Sequence, residues 1–153
     1  GVAHHVALER TRSFAVSRGL QVEAIGALPM PPSAAHWVGL VLTPEGVYRT
    51  EYTLPGGPAP EVRFFADSPP NPFIERAVKL RDAQVYLWFA RFPVYHFAER
   101  GDEKIVEISD LRFLSRTAAE AARRGRGRGM FTYRVIFDDA GRIVAHGLMR
   151  EPR

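Results

Sequence analysis

The 153-residue chain contains no cysteine. That excludes disulfides, thiolate-bound zinc, an iron–sulfur cluster and a thiol nucleophile. Lysine is nearly absent: all but Lys79 and Lys104 of the 21 basic residues are arginine. No apolar run exceeds Val85 to Ala90, far short of the ~20 residues that cross a bilayer, and no stretch has the layout of a signal peptide. There is no Gly-x-Ser-x-Gly, no phosphate-binding or dinucleotide-binding glycine loop and no His-Glu-x-x-His. No serine falls into a recognisable pattern with a histidine and an acid. The residues by themselves therefore name no reaction.

The chain is 46% hydrophobic and 25% charged, with a net charge of +4. This is the make-up of a folded domain long enough to bury one core, and we read residues 1–153 as a single soluble domain. Val2 to Ser17 lacks Pro and Gly, and Gly19 stands where a helix stops. The chain thus opens inside a helix, without an initiator Met, which predicts a C-terminal fragment of a longer protein.

Strand patterns follow. Leu20 to Leu28 is a first candidate, ended by the prolines of Pro29 to Pro32. His36 to Leu42 is apolar on both faces and reads as a central strand. Thr43-Pro-Glu-Gly46 is a turn, and Val47 to Leu54 returns the chain with alternating faces. Val62 to Ala66 is a short strand. Asn71 and Pro72 have the form of a helix cap and first position, and Asp82 caps a second short helix to Phe89. Two hairpins follow: Val94–Glu99 with Lys104–Ser109, extended by Leu111 and Phe113, and Phe131–Phe137 with Arg142–Met149. Thr117 to Arg124 is Ala-rich and suits a brief helix. The expected fold is α+β: a curved antiparallel sheet of about seven strands built from hairpins, with two or three helices on it.

Charge concentrates in one place. From Arg112 to Arg128, six arginines face the single acid Glu120. Arg123, Arg124, Arg126 and Arg128 alternate with glycine, too costly in entropy for regular structure. Such a loop fits anionic lipid headgroups, nucleic-acid phosphates or plain solvent. The missing interleaved aromatics argue against nucleic acid.

Among the histidines, only His5 with Glu9 has helical ligand spacing, and two ligands do not make a metal site. Arg91, set among Trp88, Phe89 and Phe92, precedes the strand at Val94, while Asp110 and Arg112 end its partner. Pairing places Asp110 opposite Pro93 or nearby, and so Arg91 within reach of Asp110. The result is either an anion or headgroup pocket on Arg91 and Arg112, walled by aromatics, or a structural ion pair. Trp37 and the tyrosines read mainly as core.

Several strings occur in a suggestive order: Leu28-Pro-Met-Pro-Pro-Ser-Ala-Ala-His-Trp37, Val47-Tyr-Arg-Thr-Glu-Tyr52, Leu87-Trp-Phe-Ala-Arg-Phe-Pro93, Asp110-Leu-Arg-Phe113 and Phe131-Thr-Tyr-Arg-Val-Ile-Phe-Asp138. Together they resemble the C-terminal soluble part of the bacterial membrane-bound metal-dependent hydrolase family (YdjM-like). Val38 stands where that family has Arg after the Trp. Trp37, Arg91, Pro93, Asp110 and Arg112 match family positions. The resemblance implies an N-terminal membrane region as this domain's partner, membrane association, and any divalent metal held in that region, with no cofactor in this fragment; the clustered arginines favour the cytoplasmic side under the positive-inside tendency. The domain's expected task is substrate recognition or docking at the membrane surface. The alternatives are a hydrolase in its own right, with a metal or Asp110 as base, and a basic nucleic-acid-binding module.

Overall fold

A computed structural model describes residues 1–113 and 131–149. The fold is α+β, with three helices and two open antiparallel sheets of four strands each among the described residues. The chain divides into two compact units, Gly1–Ala66 and Asp67–Arg153.

In the first unit, α1 (Val2–Ser17) leads into β1 (Ala24–Pro29), β2 (His36–Thr43), β3 (Gly46–Thr53) and β4 (Glu61–Ala66), paired in chain order. Ala7, Thr11 and Ala15, one helical turn apart, are the buried residues of α1. Thr11 meets β2 at Gly39, where any Cβ would collide with its side chain. The Thr11 hydroxyl also lies 2.6 Å from the Tyr52 hydroxyl, and Tyr52 donates to the Ala7 carbonyl. Helix and sheet are thereby fixed at short range. Gly19, at φ +64°, ends the helical segment. β2 is buried on both faces, as its unbroken apolar run predicts.

In the second unit, α2 (Pro72–Val78) and α3 (Arg81–Phe89) precede β5 (Pro93–Arg100), β6 (Glu103–Asp110), β7 (Thr132–Phe137) and β8 (Ile143–Leu148), again paired in chain order. The Asn71 side chain caps α2, accepting from the Phe73 and Ile74 amides at 2.9 Å. Ala77, Ala83 and Tyr86 from the helices bury against Val106, Ile108, Tyr133, Val135 and Phe137 of the sheet.

The expected hairpins form, but their strands divide between two sheets instead of sharing one. The break follows β4, where Pro69, Pro70 and Pro72 cannot supply ladder N–H groups and the chain turns into helices. Three boundaries also differ. The first strand starts at Ala24, not Leu20. Leu111–Phe113 forms a 3-10 turn and does not prolong β6. Leu80, not Asp82, caps α3, leaving the Asp82 carboxylate inside the first turn and available for other bonds. The Ala-rich stretch and Arg123, Arg124, Arg126 and Arg128 lie outside the described residues.

Candidate functional site

Asp110 ends β6 opposite Pro93 of β5, the register the sequence predicts. Its carboxylate is buried and fully engaged. It accepts from the Arg91 and Phe92 amides at 3.1 and 3.3 Å. It also accepts from the Arg112 amide, and from Arg112 Nε and Nη2 at 3.0 and 2.8 Å. Arg112 Nη2 reaches on to the Phe89 carbonyl at 2.7 Å. This closed network ties the end of α3 to the sheet. Arg91 joins it through its backbone, while its exposed guanidinium stands 6.0 Å from the Phe92 ring. Trp37 lies elsewhere, in the first unit's core, with Nε1 on the Ala34 carbonyl at 3.1 Å. Trp88, expected as a wall, is 80% exposed.

Beside the Asp110 network the second unit has a cavity of about 1150 Å³. Leu80, Val85, Phe89, Phe113, Phe131 and Leu148 are among the side chains that line it. All of these but Leu80 are large side chains exposed over two fifths or more of their area. Phe113 and Phe131 stack with ring centroids 4.7 Å apart. Phe131 holds φ at +64°, a conformation that costs energy for a residue with a bulky side chain. Its carbonyl accepts from the Tyr86 hydroxyl, which in turn accepts from the Asp110 amide at 2.9 Å. Burial holds the Tyr86 hydroxyl neutral, well above the ordinary phenol range.

Sequence reasoning missed a second polar cluster, at the opposite end of α3. The Asp82 carboxylate accepts from the Tyr133 hydroxyl at 2.6 Å, the Ala83 amide at 3.0 Å and His146 Nδ1 at 2.7 Å. Partial burial pushes the Asp82 carboxyl up, but the bonds from Tyr133 and His146 and the nearby imidazole outweigh it. The net shift is below the usual carboxylate range. Tyr133 moves the opposite way, raised by burial first and by its bond to Asp82 and that carboxylate's charge next.

His146 arrives there through a β-bulge. Phe137 pairs with Ile143, yet Ile136 pairs with Ala145, so Val144 is the extra residue. Without the bulge, strand alternation would face Ala145 toward the helices and turn His146 away. With it, His146 and Leu148 share the face of Val135 and Tyr133. A strictly alternating reading of β8 therefore hides His146.

With Nδ1–H on Asp82, the second ring nitrogen of His146 is the one left for a ligand. The pocket's described lining contains no Ser, Thr or Cys beside this pair. Among the described residues no group of three or more His, Asp or Glu side chains is placed to hold a metal ion. No described helix is long and apolar enough to cross a membrane. No family model, curated protein or solved structure matches the chain.

Proposed function

We propose that the second unit binds an apolar small molecule, and that this recognition is its task within a membrane-bound, metal-dependent hydrolase. The observation that carries the binding reading is the pocket. Soluble proteins rarely leave large apolar side chains contiguous and exposed without a use for them. At about 1150 Å³ the space exceeds the roughly 300–1,000 Å³ of ordinary small-molecule sites. The hydrolase context rests on the ordered strings from Leu28 to Asp138. In that reading the domain's partner is the membrane region of its own protein, which also holds any divalent metal, and Arg123, Arg124, Arg126 and Arg128 touch anionic lipid.

Asp110 acting as a general base finds less support, because both its oxygens are occupied by donors. The test of the binding reading is titration of the 153-residue chain with an environment-sensitive apolar dye. We expect saturable one-to-one enhancement that Val85→Asp weakens and Trp88→Ala, outside the pocket, leaves alone. Equal effects of the two substitutions would count against the pocket.

A further inference from the structure

The two ends of the pocket differ in charge balance. α3 spans nine residues, about 12 Å at 1.5 Å per residue, and sets the distance between them. At its C-terminal end Asp110 and Arg112 neutralise each other. At its N-terminal end the Asp82 carboxylate is taken up by the Tyr133 hydroxyl, the Ala83 amide and His146 Nδ1. Arg81, next to Asp82 in the chain and also lining the pocket, has no ion pair or hydrogen bond of its side chain among the described residues. An apolar chamber with a guanidinium at one end, its side chain unpaired among the described residues, is complementary to a molecule with an apolar body and one anionic end. The planar guanidinium matches a carboxylate in two-point geometry.

We propose that the pocket takes a long-chain carboxylic acid, its tail along Val85, Phe89, Phe131 and Leu148 and its carboxylate at the Arg81–His146 end. This rests on the apolar-ligand reading above and gives that ligand its class. The bulge at Val144 is what turns His146 and Leu148, head contact and tail contact, to the helix-facing side of β8. Tyr133 and Asp82 act as positioning residues, since their bonds to one another and to His146 set the imidazole's orientation.

The experiment is calorimetric titration of the 153-residue chain, in lipid-free buffer, with monomeric dodecanoate, dodecan-1-ol and dodecyltrimethylammonium. Dodecanoate should bind at least about tenfold tighter than the alcohol, the worth of one charge-assisted contact. The ammonium amphiphile should bind no better than the alcohol. Shortening the acid by two methylenes should weaken it by up to about fifteenfold. Arg81→Gln, on an exposed position, should leave the alcohol unchanged and reduce the acid's advantage to within about threefold; His146→Gln should erode it further. Val85→Asp should weaken acid and alcohol alike.

If alcohol and acid bind equally, or the preference survives Arg81→Gln, the carboxylate assignment is wrong while the apolar pocket stands. If neither binds to the intact chain, both readings fail. Binding of dodecanoate only in the presence of anionic vesicles likewise overturns the assignment, because the site would then be reading a bilayer and not a free acid.

Discussion

At residue scale the second unit is organised by two carboxylates in opposite circumstances. Asp110 is 3% exposed and wrapped in donors, the Arg112 guanidinium among them. We expect Asp110→Ala to cost about 3 kcal/mol or more in chemical denaturation, since it strands the Arg112 charge against the Phe89 carbonyl. Asp82 is half open to solvent, and its carboxyl is held below the ordinary range. A depressed carboxyl favours the fold above its unfolded pKa and stops doing so as pH falls through the folded value. Stability should therefore drop between about pH 5 and about pH 3 by more in the native chain than in Asp82→Asn. Thermal melts across that range check the sign. The Asp110 cluster was legible in the sequence because a hairpin turn fixed which residues stand opposite. The Asp82 cluster was not. Its members are joined across 51 and 64 residues, and a bulge reverses the face on which His146 falls.

At the scale of elements, caps and turns carried most of the sequence's information. Asn71-Pro72 opens α2 as its chemistry requires, and Asn71→Ala should cost about 1 kcal/mol. Gly39 shows a different kind of constraint, a close approach invisible from periodicity. Gly39→Ala should destabilise the first unit sharply, and Thr11→Ala should relieve much of that loss, giving a non-additive double-mutant cycle. β8 supplies the element-level test of the pocket. Deleting Val144 removes the extra residue and leaves Ala145 opposite Ile136 and His146 opposite Val135, so simple alternation then keeps His146 and Leu148 on the helix-facing side. We expect pocket binding to survive in that variant while far-ultraviolet circular dichroism retains the sheet signal; loss of binding with the sheet intact would count against this register. The prolines after β4 marked a break that the sequence reading bridged. A pattern of alternating residues shows that a strand exists and not which sheet it joins.

On the scale of the whole molecule, helical segments followed by a four-stranded antiparallel meander occur twice in succession. No repeat shows in the sequence, because each meander needs only alternation and turns, which many unrelated residues satisfy. The units also differ in kind. The first closes around Ala7, Ala27, Trp37 and Tyr52, whereas the second leaves Phe89, Phe131 and Leu148 open. The proposed ligand recognition therefore belongs to the second unit. The basic string from Arg123 to Arg128 lies between its two halves in sequence and carries the proposed lipid contact. Neutralising those four arginines should lower co-sedimentation with anionic vesicles, at about 1 kcal/mol per charge, and leave dodecanoate affinity unchanged. Joint loss of both activities would mean that the two roles are not separable.

His146 rides on the outermost strand of its sheet, hydrogen-bonded on one flank to β7. Peripheral strands open locally at a fraction of the free energy needed to melt a core. A brief detachment of β8 would carry the imidazole away from Asp82 and Leu148 away from the tail, releasing a bound acid while Tyr133, Val135 and Phe137 remain interleaved with the helices. Amide exchange at residues 143–148 should accordingly outpace that of residues 104–109, and added dodecanoate should slow the former alone.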